Sequence, residues 1–273
     1  MLNHRVRKFV AMVATLGVLA FPCVQGARAQ QGGAQMPAAH DKTPSGPAPV
    51  KDISGVWMGG PLPRLNNPPA MTPEGQAAFK LNKSFQGRNP VPVSESNDPM
   101  LHCDPLGFPR AVLFETRGIK FVQLPTETLQ LFQYQRAWRE IWTDGRELPK
   151  NVGGDATDAP DPRYYGYSVG HWDGDYTFVI NTIGMDPSAW LDEYGHPRSA
   201  DEKVEERYQR LDHDTLEYTV TIDDPKMYTQ PFKAITFDLK WNPKQEFEEQ
   251  LCIPTDMETY MKTIANPAGV QKK

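Results

Sequence analysis

The sequence predicts a mainly β protein, an antiparallel barrel or sandwich of about eight to ten strands with one or two short helices. Three observations carry this expectation. From Ala111 onward the chain is a series of short runs in which apolar, aromatic and β-branched residues alternate with polar ones. Turn residues such as Asp144-Gly145, Asp173-Gly174 and His213-Asp214 separate these runs. No alternation of strands with long helical segments is present, so a doubly wound fold is not expected.

Residues 1–29 have the text of a secretory signal. Arg5, Arg7 and Lys8 precede the apolar run FVAMVATLGVLAF, and Ala27-Arg28-Ala29 supplies a small-residue cleavage pattern. Lipidation at Cys23 is the poorer alternative, because Pro22 stands where a small residue is required. No later stretch is long and apolar enough to span a bilayer, so the mature chain is expected to be soluble, exported, and periplasmic or extracellular. Residues 1–29 carry four basic side chains and no acidic one, so cleavage near Ala29 takes the formal net charge from −5 to −9. Such a chain has no basic footprint for nucleic acid or anionic lipid.

Residues 30–51, QQGGAQMPAAHDKTPSGPAPVK, are too poor in bulky apolar side chains to offset their ordering entropy and are expected to form a disordered linker. A single domain is expected over 52–265, with 266–273 as a flexible tail. DISGVWMGG opens the domain. TPEGQAAFKLNKSF follows, with Thr72 as N-cap and Pro73 at the first helical position, predicting a helix over 73–85 despite Gly75. Then come GIKFVQLP, TLQLFQYQ, RAWREIWTDGR, YGYSVGHW with YTFVINTIG, EKVEERYQRLD with TLEYTVTIDDP, AITFDLKWNP and FEEQLCIP, all expected as strands. SADEKVEERYQRL has a capping box at Ser199 and Glu202, and is expected to form a helical turn over 199–203 and a strand after it.

Two cysteines remain after cleavage, Cys103 and Cys252. An oxidising compartment favours a disulfide between them over two free thiols.

The segment GYSVGHWDGDYTFVINT, 166–182, spells both a G-x-S-x-G nucleophile elbow and a His-Asp metal cluster. An elbow requires a strand, a sharp turn and a helix, whereas Ser168 lies in a strand running into a β turn. Asp173-Gly174 predicts a two-residue hairpin loop that pairs Trp172 with Asp175 and Val169 with Phe178. His171 and Asp175 then fall on opposite faces, and no metal or cofactor site is expected.

Gly55-Val56-Trp57 resembles the G-x-W signature of lipocalin-like barrels. More widely, DISGVW, TPEGQAA, DPMLHCDPLGFPR, REIWTDGRELP, GYSVGHWDGD and LDEYGHPRSADEKVEERYQRLDHDTLEYTVTIDDP are similar to a large family of secreted bacterial proteins. The resemblance implies a calycin-like β-barrel and no particular activity. Where the family has Gly-Asp-Thr-Leu-Val-Val after an acidic residue, this chain has Asp173-Gly174-Asp175-Tyr176-Thr177-Phe178.

A barrel of this size suggests a cavity for one small, largely apolar molecule. Its wall has many aromatic candidates, among them Phe121, Phe132, Trp142, Phe178 and Trp241. The residues expected to bind a ligand are Trp57, Arg110, Tyr134, Trp138, Tyr167 and Trp172. The alternative is a cofactor-independent lyase, isomerase or hydrolase working by acid/base chemistry in the same cavity. Its candidates are His171, Asp175, Glu205 and Arg207, with Asp192, His196 and Asp223 also in view. In EERYQR, Glu205, Arg207 and Gln209 share one strand face and Glu206, Tyr208 and Arg210 the other. An inward Glu205–Arg207 row points to function, and an outward one to a solvated surface. Oligomeric state is not legible.

Overall fold

Alternation along each strand decides how this chain closes on itself. The computed structural model describes residues 46–59, 65, 68–87, 89–113 and 117–270. Nine strands form a closed barrel: β1 (Gly55–Met58), β2 (Gly118–Gln123), β3 (Glu127–Phe132), β4 (Trp138–Trp142), β5 (Tyr167–Asp173), β6 (Thr177–Ile183), β7 (Lys203–Arg210), β8 (Thr215–Asp223) and β9 (Phe232–Trp241). Each pairs with the next in sequence, and β9 returns to β1 through Trp57↔Trp241 and Met58↔Lys240. The expected signal segment, 1–29, and linker residues 30–45 lie outside the described residues. The last linker residues are anchored: Lys51 N donates to Asp175 O at 2.7 Å, and Gly46 O accepts from His213 N at 3.1 Å. Among the described residues no helix is long and apolar enough to cross a membrane.

One pairing departs from the antiparallel expectation. β4 and β5 run parallel and meet over only two residue pairs, Ile141↔Ser168 and Trp142↔Val169. The cause is the Pro- and Gly-rich connection over 143–166, which carries the chain back to the end of the barrel where β4 began. β4 and β5 are therefore separated by a seam that backbone hydrogen bonds hold weakly.

Helix α1 (Pro73–Leu81) starts as expected, with the Thr72 hydroxyl accepting from Gly75 N at 3.0 Å, and stops four residues early. Gly75 fits because a Cβ there would stand 2.2 Å from Met227 O. Helical turn α2 (Arg110–Leu113) follows an irregular arm. FEEQLCIP is not a strand. Its one ladder contact is a bridge from Gln250 to Tyr134, and the barrel closes without it because β9 already pairs with β1. Instead, Cys252 bonds to Cys103 with Cα atoms 5.3 Å apart, and α3 (Pro254–Tyr260), a π turn (Met261–Ala265) and α4 (Asn266–Val270) follow. Residues 266–270 of the expected tail are thus helical. A Cβ at Gly269 would stand 2.2 Å from Ser94 Oγ, so α4 packs against the arm.

The β5–β6 hairpin differs from the sequence expectation by one residue. Asp173 pairs with Thr177 across Gly174-Asp175-Tyr176, so Trp172 faces Phe178, Gly170 faces Ile180 and Ser168 faces Thr182. The three-residue loop adds one residue to the turn, and a one-residue slip exchanges the faces. Ser168, Gly170 and Trp172 therefore join Phe178, Ile180 and Thr182 inside the barrel. A Cβ on Gly170 would stand 2.6 Å from the Phe178 ring and 2.8 Å from Ile141 Cγ2. The second glycine of G-x-S-x-G is thus room for a phenylalanine. Gly170→Ala should cost about 1–3 kcal/mol in urea denaturation through overpacking. In the two-residue register Gly170 would face outward and the same change would be neutral.

Candidate functional site

The inward side chains leave the barrel lumen full. Trp57, Phe121, Phe178, Tyr208 and Tyr218 are all at most 1% exposed and belong to one continuous core. One end is sealed by Arg210, which lies over the Trp57 ring at 4.6 Å and donates to Asp52 O and Asp212 O. Towards the other end Phe108 covers the Arg139 guanidinium at 3.8 Å. The expected ligand cavity is therefore not in the lumen, because large aromatic side chains occupy it.

A polar cluster sits inside this core. Arg139 on β4 donates to Gln130 on β3 at 2.7 Å, to Thr182 on β6 at 3.3 Å, to Ser168 on β5 at 3.5 Å, and to Glu206 on β7. The other Glu206 oxygen accepts from Tyr208 at 3.0 Å and from Tyr218 at 2.7 Å. Burial, reinforced by the Glu206 carboxylate, pushes both phenols well above their usual pKa, so they remain donors. The guanidinium thus bonds to four other strands.

Outside that cluster, where β4 and β5 diverge, lies an open cleft of about 480 Å³. Trp138, Glu140 and Trp142 form the β4 wall, Arg146 to Pro149 cover it, and Arg163 to Val169 form the opposite wall. Arg139 and Ser168 reach it from the seam. Gly166 lets the chain enter β5: its φ is +65°, and a Cβ would meet Ile183 O at 2.7 Å. Arg146 lies 3.5 Å over Trp142 and is neutralised by Asp144 at 2.6 Å. Tyr165 stacks on Phe132 at 5.7 Å, and burial raises its pKa so that its hydroxyl stays protonated.

Of the residues expected to bind a ligand, Trp138 and Tyr167 line this cleft. Trp57 is core, its indole donating to Ile53 O at 2.9 Å. Arg110 is buried in a bidentate pair with Asp98 at 2.7 and 2.8 Å. Tyr134 lines a separate groove with Arg117, Cys252 and Tyr260, and Trp172 packs on Phe178 inside the barrel at 5.2 Å. The expected acid/base residues are not brought together in a cavity. His171 and Asp175 are exposed. Glu205 and Arg207 stand on the outer face, where Arg207 pairs with Asp173 at 2.6 Å, a solvated contact of little energetic weight. The inward row of β7 is Val204, Glu206, Tyr208 and Arg210. Sequence reasoning missed Arg139, Arg163 and Tyr165, and weighed Ser168 only as a nucleophile. The run RYYGY, an arginine among aromatics just before a strand, was the available signal.

A second buried cluster joins the 190s loop to β8. Ser199 donates twice to Asp224, at 2.6 and 2.7 Å, and Arg198 lies 2.5 Å from Glu202. Nearby, Asp192 accepts from His196 Nδ1 at 2.6 Å, and the His196 ring stacks on Phe79. Among the described residues no three His, Cys, Asp or Glu side chains are grouped to hold a metal ion.

No protein-family model, no curated protein and no solved structure matches this chain.

Burial pushes the Glu202 carboxyl up to about 7; Arg198 acts against this and Asp224 adds to it. Folding thus favours the protonated form. The stabilisation is complete below the unfolded pKa of 4.5 and is lost as pH rises through about 7. A shift of this size corresponds to roughly 3 kcal/mol. Glu202→Gln should flatten the stability profile between pH 5 and 8, as measured by urea denaturation at each pH. An unchanged slope would contradict the assignment.

Proposed function

We propose that this chain is an exported β-barrel protein that binds a small, largely apolar molecule in the cleft between β4 and β5. One observation carries the reading. The lumen is packed, whereas the seam holds a cleft of ligand size whose walls combine aromatic faces with polar groups. Export is supported by the signal-like text of residues 1–29 and by the Cys103–Cys252 disulfide, which suits an oxidising compartment. The resemblance to secreted bacterial barrels agrees with the closed nine-strand sheet.

Catalysis in the same cleft is the second reading. It rests on Glu140 and Glu147, carboxylates that line the cleft beside Tyr165 and Ser168. Binding is preferred because the aromatic faces of Trp138, Trp142 and Tyr167 dominate the walls.

Titration of the purified protein with a panel of small aromatic and aliphatic molecules, followed by tryptophan fluorescence and by mass spectrometry of the recovered ligand, tests both readings. Saturable binding is expected, with the ligand recovered unchanged. Trp138→Ala should weaken it by about 1–2 kcal/mol, while His171→Ala on the outer face should not. Binding insensitive to Trp138→Ala would remove the ligand from the cleft, and a converted ligand would establish the enzyme.

A further inference from the structure

Three arginines line the cleft, and they differ in what neutralises them. Arg139 is bound to Glu206, and Arg146 is held by three contacts to Asp144 at 2.6 to 3.0 Å. Arg163 has no ion pair and no side-chain hydrogen bond among the described residues. Its side chain instead lies over the Tyr167 ring at 4.2 Å.

Arg163 is nevertheless fixed in place. Its backbone N donates to Gly184 O at 3.0 Å, and its carbonyl accepts from Gly166 N at 3.0 Å and Asp186 N at 2.9 Å. The ring beneath it is held too, because the Tyr167 hydroxyl donates to Asp161 O at 2.8 Å. A guanidinium stacked on an oriented ring presents its N–H edge as a preset planar fork, the geometry that matches a carboxylate. Tyr165 lines the same cleft, and its hydroxyl has no hydrogen-bond partner among the described residues. Burial keeps it protonated, so it is a second donor. Across the cleft Trp138, more than half exposed, presents a flat apolar face, with Leu148 and Pro149 beside it. Glu140 and Glu147 on the same lining repel a second negative charge, which disfavours a phosphate dianion.

We propose that the ligand of this cleft is an aromatic carboxylic acid, its carboxylate on the Arg163 fork and its ring against Trp138. This rests on the binding reading above and specifies it.

The test compares 2-naphthoate with the uncharged 2-naphthamide by calorimetry at low salt, on wild type, Arg163→Gln and Arg163→Lys. Wild type should bind the acid roughly tenfold more tightly than the amide, the size expected of one charge-assisted contact at a half-open site. Arg163→Gln should bring the ratio to about one by weakening the acid far more than the amide in a variant that still unfolds cooperatively, and Arg163→Lys should restore part of the preference, since charge remains but the fork is lost. Equal binding of acid and amide to wild type would overturn this proposal and leave the cleft as a binding site. An acid preference that survives in Arg163→Gln would overturn the role of Arg163. Failure of both probes to bind folded wild type would overturn the acid proposal together with the aromatic cleft beneath it.

Discussion

The hydrogen-bonded Arg139–Glu206 pair is the contact on which the rest of the barrel depends. Burying a guanidinium and a carboxylate is costly unless each is paired and every remaining donor and acceptor is met. Here Gln130, Ser168, Thr182, Tyr208 and Tyr218 meet them. The cluster lies at one of the two shortest pairings of the sheet, the other being β1 with β9. β4 and β5 share two residue pairs, while β5–β6 share seven and β7–β8 eight. Arg139 fastens that seam from inside, bonding from its own strand to β3, β5, β6 and β7.

The same arrangement determines where the cleft lies. A lumen that holds Trp57, Phe121, Phe178, Tyr208 and Tyr218 is filled by the protein's own side chains, and the cleft of ligand size lies on the wall. A short parallel pairing leaves a wedge between two strands, and the connection over 143–166 that makes the pairing parallel also supplies one side of the wedge. The cleft is thus a by-product of the topology: Arg163 and Tyr165 arrive just before β5 and Tyr167 at its start, on the strand that could not pair further. Arg139 and Arg146 are paired with Glu206 and Asp144, which leaves Arg163, Glu140 and Glu147 as the other charges on the lining.

Much of the architecture was legible in the sequence because strand alternation, turn residues and caps act locally. The Thr72 cap, the strand from Lys203 and eight of the nine runs expected as strands follow from a few neighbouring residues each. The Cys103–Cys252 bridge followed from cysteine arithmetic and the compartment that the signal-like text of residues 1–29 led us to expect. What was not legible depends on distant pairing. One extra residue in the Gly174-Asp175-Tyr176 loop turned Ser168 and Trp172 inward, and no local rule separates that loop from the shorter Asp173-Gly174 turn. FEEQLCIP has strand composition, yet β9 had already closed the sheet. Arg139 alternates correctly in WREIW, but its value comes from Glu206, sixty-seven positions away. The cleft was illegible for the same reason: it lies between strands joined by a long, irregular connection.

A double-mutant cycle on Arg139→Met and Glu206→Gln, read as unfolding free energy in urea, tests this account most directly. Each single change should cost about 3–5 kcal/mol by stranding a buried group, and the double change should cost no more than either alone, a coupling of at least about 2 kcal/mol. Single costs below about 1 kcal/mol, or costs that add to within about 0.5 kcal/mol, would show that the seam does not depend on this pair.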